Sequence, residues 1–246
     1  MNKPTLRHSQ IQDYQKCPGC YEVKWLLGVR TQASSKMSIG TAVDAVQNFN
    51  LTQKITTGTD ISSEQAGDMA ATEVEKLKAD TDWEGEFDQS KDVAVQVAQF
   101  LITEVSPLIK PVAVQLSFKI ETDLPFDIAG TIDYIDADGR VRDLKVTSKS
   151  GLNYYQIENG LQSAAYWFAQ EALTGKTPTS FVFDCVLRPD SKNKISYKPL
   201  EGIVSKDSIN HFWKCAVHAH KGIQAGSFMP AWSAAWWCDG LCKKVA

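Results

Sequence analysis

Gly130-Thr131-Ile132-Asp133-Tyr134-Ile135-Asp136-Ala137-Asp138-Gly139-Arg140-Val141-Arg142-Asp143-Leu144-Lys145 is the stretch on which the fold turns. It reads as two strands around a tight loop. Alternation puts Asp133 with Ala129 and Thr131 on one face of the first strand, and Val141, Asp143, Lys145 and Thr147 on one face of the second. A three-residue loop, Ala137-Asp138-Gly139, with its glycine in the left-handed position pairs Asp136 with Arg140. Counting back along both strands sets Asp133 opposite Asp143, at roughly 5 Å between Cβ atoms. Two like charges at that spacing repel unless a cation separates them, and carboxylate oxygens suit a hard divalent ion such as magnesium or manganese. The hairpin therefore reads as half of a metal site. Lys145 points the same way, where an ammonium neutralises a phosphate oxygen or steers an attacking water. The same residues also fit a solvated strand face carrying an ordinary Asp-Lys pair.

Outward from the hairpin, the N-terminal part is helical. Ser9 fits a helix cap over Gln10 to Lys16, with Gln12 completing a capping box, and Pro18 fits the first turn of a second helix stopping near Gly28. In a third helix Ile39, Ala42, Val43, Val46 and Phe49 recur at helical spacing, leaving Gly40, Asp44 and Gln47 on a neighbouring stripe. Ser62 and Gln65 start a fourth. Val93, Val97, Phe100 and Leu101 mark a fifth, closed by Pro107. Val112, Val114, Leu116, Phe118 and Ile120 then alternate as a strand leading into the hairpin. A helix over about 156–173 follows, carrying Gln162 and Tyr166 four residues apart. Phe181, Phe183, Cys185 and Leu187 form a further strand, with residues 194–198 as its partner, and Ile209, Phe212, Ala216 and Ile223 describe a last helix. The expected fold is α/β (α+β), one domain over 1–246 with a helical part to about residue 110 and the catalytic sheet and C-terminal part from about 111. No internal repeat or long linker divides the chain.

At 246 residues, 43% hydrophobic and 22% charged, the composition is that of a globular protein rather than a disordered one. No apolar run approaches the roughly 20 residues of a membrane helix, and the first residues lack a signal-peptide core, so a cytoplasmic protein is expected. Net charge is −3, which excludes global attraction to nucleic acid. The charge is uneven, however. Residues 60–92 hold eleven Asp/Glu against three Lys/Arg, whereas residues 140–221 hold twelve Lys/Arg against seven Asp/Glu, so the half with the hairpin is the one suited to a phosphate-bearing partner. No glycine-rich phosphate loop is visible, which argues against ATP hydrolysis.

Two further groups stand out. Cys17-Pro18-Gly19-Cys20 and Cys238-Asp239-Gly240-Leu241-Cys242 place close thiol pairs at opposite ends of the chain, a spacing that suits a shared zinc ion or iron-sulfur cluster. Unliganded thiols are the other reading. Cys185 and Cys215 fall in strand and helix patterns and read as core. His211, Lys214, His218 and Lys221 form one polar stripe on the last helix, which fits either a phosphate-backbone track or the wet side of an amphipathic helix.

The α-β-β-β-α-β order, the GxxD of Gly130 to Asp133, the D-x-K of Asp143 to Lys145, and Gln162 with Tyr166 on the next helix resemble the PD-(D/E)XK nuclease superfamily. The chain resembles most its RecB-type and CRISPR-adaptation exonuclease branch, with Ser9-Gln10-Ile11, Tyr14, Cys17-Pro18, Tyr21 and Gly40-Thr41-Ala42-Val43 matching the N-terminal signature. The resemblance implies a restriction-endonuclease-like core and a Mg2+- or Mn2+-dependent deoxyribonuclease of prokaryotic or phage-like origin, acting as an exonuclease in recombination, repair or adaptation. It implies that Asp133 and Asp143 are metal ligands. Lys145 would position water and stabilise the transition state, and Gln162 with Tyr166 would contact DNA. Two departures stand out. Asp44 occupies the place where the branch usually presents a histidine to the metal, and Gln115 stands where a glutamate is frequent. Aspartate ligates a hard ion as imidazole does, so Asp44 joins the expected metal ligands, although the change also fits weakened catalysis in a metal-stapled nucleic-acid-binding module. The resemblance favours a [4Fe-4S] cluster over zinc at Cys17, Cys20, Cys238 and Cys242, with Pro230, Trp232, Trp236 and Trp237 preceding the C-terminal pair. Beyond DNA, the partners it implies are recombination or repair proteins, with no membrane.

Overall fold

The hairpin has the register that its turn dictates. In the computed structural model, which describes residues 3–158, 160–231 and 242, Tyr134 pairs with Arg142 and Ile135 with Val141. The Asp136 amide donates to Arg140 O at 3.1 Å, and Gly139 closes the loop at φ 78°, a left-handed conformation that a side chain would strain.

The chain begins with β1 (Thr5–Leu6), α1 (His8–Lys16) and a short α2 (Pro18–Tyr21) that runs into a π-helical turn over Glu22–Leu26. Next come β2 (Ala33–Ser34), the long α3 (Ser35–Thr57), α4 (Ser63–Lys76), β3 (Thr81–Asp82) and α5 (Phe87–Phe100). The sheet follows with β4 (Pro111–Ile120), β5 (Asp127–Asp136) and β6 (Val141–Thr147). Last are α6 (Leu161–Thr174), β7 (Phe181–Leu187), β8 (Ser196–Gly202) and α7 (Lys206–Gln224). β4, β5 and β6 are antiparallel, β6 and β7 parallel, and β7 and β8 antiparallel. Among the described residues no helix is long and apolar enough to cross a membrane.

Several elements begin elsewhere than the sequence suggests. Thr5 and Leu6 pair with Asp127 and Ile128, so the N-terminal part is not purely helical. That pairing holds Arg7 extended, and α1 starts directly after it. Arg7 is therefore the cap residue, its amide donating to Gln10 Oε1 at 2.9 Å, in place of the Ser9–Gln12 box. The helix expected from residue 156 starts at Leu161, because residues Ser150–Tyr154 coil into a 3₁₀ turn. Ser163 Oγ then ties the helix start down by donating to Ile157 O at 2.6 Å. A bulge between Pro111 and Ala113 breaks the alternation of β4 and turns Val112 to solvent. Phe49 is exposed as well. Gln47 is buried in its stead and accepts from Ser106 Oγ at 2.8 Å.

Helices cover both faces of the sheet, which is why β7, paired on both edges, is buried almost throughout. On one face Ile11, Tyr14, Tyr166, Phe181, Phe183 and Phe212 join α1, α6 and α7 into one core. α1 lies so close to α7 that a Cβ on Gly222 would collide with the Tyr14 hydroxyl, which donates to Ser227 O at 2.8 Å. On the other face α3, α4 and α5 pack over Tyr134, Leu144 and Val186. A buried charge cluster pins the strands here. Arg142 donates to Asp184 from Nη2 at 2.6 Å and from Nε at 3.0 Å, and to Asp136 from Nη1 at 3.0 Å. The Tyr134 and Tyr197 hydroxyls donate to the same Asp184. Since Tyr134 and Arg142 immediately adjoin Asp133 and Asp143, this cluster fixes where those two carboxylates stand.

Candidate active site

Asp133 and Asp143 lie one step beyond the last paired residues of β5 and β6, where the two strands part. Extending the register sets them opposite each other. A cleft of about 600 Å³ opens at this fork, and Asp133, Asp143, Lys145 and Gln162 line it together with Asp44 from α3. The sequence thus places on four separate elements side chains that the fold gathers into one cavity.

The electrostatics of the cleft are those of crowded acids. Burial, then Asp143, then Asp44 push the Asp133 carboxyl up to about 9. Burial and Asp143 also raise Asp44, against an amide hydrogen bond from Asn48 Nδ2 at 2.9 Å. Burial alone would lower Lys145, but its ion pair with Asp143 outweighs that and raises it. Asp143 Oδ1 accepts from Gln162 Nε2 at 2.6 Å, and Oδ2 pairs with the Lys145 ammonium. Asp44, Asp133 and Asp143 converge here, and the raised Asp133 and Asp44 carboxyls record how poorly their charges are compensated in the ion-free cleft. A hard divalent cation is the group whose chemistry fits that donor set.

Tyr166 is behind the cleft, not in it. It is buried, receives a hydrogen bond from Gln162 Nε2 at 3.4 Å, and packs edge-on against His8 with ring centroids 5.3 Å apart. Gln162 does reach the cleft surface. Gln115 is exposed on β4 with a strained φ of 50° and does not line the cleft. A second groove of about 830 Å³ shares Lys145, Tyr155 and Gln162 with the first and extends over Gln15, Tyr154 and His211. His211 is therefore separated from the rest of its stripe, since Lys214, His218 and Lys221 border a shallow pocket with Trp213.

Some residues in or beside the cleft carry no motif and were not legible in the sequence. Burial lowers His8 to about 4, against the pull of Asp143, which marks this imidazole as a neutral neighbour of the acids. Tyr155 and Arg188 line the cleft. An arginine just past a buried strand was the only sign available for Arg188.

The thiols form a separate centre. Cys17, Cys20 and Cys242 bring their sulfur atoms within 4.8 Å of one another, and Cys17 and Cys242 are 3.9 Å apart. Burial would raise the Cys17 thiol, but the backbone amides of Ala231 and Cys20, each 3.4 Å from its sulfur, lower it below the usual range. Such a sulfur is prepared to act as a thiolate ligand. Cys238, Trp232, Trp236 and Trp237 lie outside the described residues.

Comparison with known proteins bears on the family and the fold. No curated protein matches the chain. Among solved structures, a Eubacterium rectale protein named "Putative exonuclease" superposes with a TM-score of 0.62 at 13% identity, over 93% of this chain and 84% of that one, a likeness of fold. The sequence profile of the PD-(D/E)XK nuclease superfamily matches residues 5–243, nearly the whole length, and the chain belongs to that superfamily.

Proposed function

We propose that this nuclease is a divalent-metal-dependent deoxyribonuclease that hydrolyses phosphodiester bonds from DNA ends, in recombination, repair or adaptation. The observation that carries the reading is the convergence of Asp44, Asp133, Asp143 and Lys145 in one cleft. Asp133 and Asp143 would hold Mg2+ or Mn2+, with Asp44 as a third ligand in place of an imidazole. A cation bound there supplies Lewis acidity and lowers the pKa of a bound water. Lys145, kept charged by Asp143, stabilises the negative charge that builds on the phosphate oxygens. Gln162 orients Asp143 through its amide and presents its other edge to the substrate groove.

The thiol centre holds a structural metal. The resemblance to the exonuclease branch favours [4Fe-4S], but a cubane spreads its thiolates over four separate irons. Sulfur atoms 3.9 Å apart support instead a single tetrahedral ion, for which bonds of about 2.3 Å give an edge of about 3.8 Å. Zinc is the ion that this spacing favours.

Linear DNA labelled at each end and a closed circle, incubated with Mg2+ or Mn2+, test the activity. Terminal label released from linear DNA with the circle intact is expected. A nicked circle would overturn the exonuclease reading, and binding without cleavage of either would replace it with that of a nucleic-acid-binding module.

A further inference from the structure

Arg188 stands immediately past the end of β7, its amide held by Thr147 O at 2.8 Å. Its side chain lines the same cleft as Asp133, Asp143 and Lys145. Among the described residues this guanidinium has no carboxylate partner, and its Nε is buried with no hydrogen-bond acceptor. An arginine desolvated in this way is costly, and an unsatisfied buried donor in a native fold calls for a ligand that completes it. The ligand must be anionic and must enter by the cleft.

In the parallel register Lys145 pairs with Cys185, so Arg188 lies three residues further along β7, about 10 Å at strand rise. The backbone of Arg188 is thus displaced along the strand direction from the pair formed by Asp143 and Lys145. Such an offset suits the phosphate that adjoins the one held there. A guanidinium presents a planar fork of donors matched to phosphate oxygens, and a half-buried one gives a strong charge-assisted contact.

We infer that Arg188 is a substrate-positioning residue that grips the phosphate adjoining the scissile one and so sets how the nucleic-acid strand is registered against the catalytic acids. This rests on the nuclease reading above. The acidic wall of the cleft holds the reacting phosphate, and the arginine fixes its neighbour, so that only a strand with a charged phosphate at that place is aligned.

Oligonucleotides in which one non-scissile phosphate at a time is replaced by a neutral methylphosphonate provide the test, with the parent, Arg188→Ala and Arg188→Lys compared by kcat/KM. In the parent, neutralising one position adjoining the cut should lower kcat/KM by about tenfold or more, the worth of a hydrogen bond to a charged group. In Arg188→Ala the same neutralisation should cost less than about twofold while the other positions behave as in the parent, the coupling expected of direct contact. Arg188→Lys should recover part of the dependence. A merely structural arginine would lower activity on every substrate alike and leave the positional pattern unchanged. That unchanged pattern, in a parent that cuts the unmodified strand, would overturn the role of Arg188 alone. A parent that cuts no strand with Mg2+ or Mn2+ would overturn the nuclease reading, and this inference with it.

Discussion

Binding of a divalent cation at the carboxylate cleft should displace a proton, because the acids there are crowded and buried. Burial and the charges of Asp143 and Asp44 push the Asp133 carboxyl up to about 9. A carboxyl so raised keeps its proton at neutral pH in the ion-free protein, so only about one molecule in a hundred is ionised there at pH 7. A cation that needs the carboxylate must first remove that proton, at about 2.7 kcal/mol for two pH units. Affinity should therefore climb about tenfold per pH unit up to about pH 9 and level off above it. The sign for folding is the reverse. The native ion-free chain holds a proton that the unfolded chain has lost, so stability falls as pH rises from the ordinary carboxylate range towards about 9. Titration calorimetry of Mn2+ between about pH 6.5 and 8.5, in buffers of differing ionisation enthalpy, should show close to one proton released at the lower end. Asp133→Asn should abolish most of the slope. An affinity that changes less than about twofold over that range, or an equal slope in the variant, would refute the reasoning.

Arg142→Leu leaves the buried Asp184 carboxylate without a cation, while Asp136 keeps Arg140, and should cost about 3–5 kcal/mol, a fall in Tm of roughly 6–20 °C at this chain length. Thermal unfolding checks it, and a shift below about 2 °C would contradict it. Asp44→Ala should raise the Mn2+ concentration for half-maximal cleavage by about tenfold or more, while Asp44→His retains activity. Equal metal titrations for both variants and the parent would place Asp44 outside the site. Protein purified without added metal should carry about one zinc per chain, lost together with thermal stability in Cys20→Ser. Iron and sulfide in its place would restore the cluster, and neither metal would leave the thiols without a joint role.

The hairpin and the order of strands were legible because period-two alternation and a Gly139 turn are local, and local geometry fixes the Asp133–Asp143 register. The meeting of Asp44 with them was legible only through the family motif, since α3 reaches the cleft by packing across the sheet. The helix starts were misplaced where a distant contact decides them. Thr5–Leu6 pairing with β5 sets Arg7 rather than Ser9 as the cap, and the 3₁₀ turn over Ser150–Tyr154 delays α6. Tyr166 illustrates the limit of spacing. Four residues from Gln162, it shares the helix face but is covered by His8 and Phe118, whose approach no periodicity records. Tyr155 and Arg188 enter the cleft from loop and element ends, where no repeat marks a residue.

Whether the carboxylate fork cuts DNA with a bound cation is decided by one comparison. Purified parent and Asp143→Asn are incubated with end-labelled DNA and Mn2+, and cleavage rates are read alongside thermal unfolding. A parent whose cleavage stops with chelator is expected, and a variant slower by about a hundredfold or more while still folded at the assay temperature, its unfolding temperature lowered by the loss of the Lys145 ion pair. A variant that cleaves at the parental rate, or a parent that cleaves equally well in chelator, would contradict cleavage by the fork.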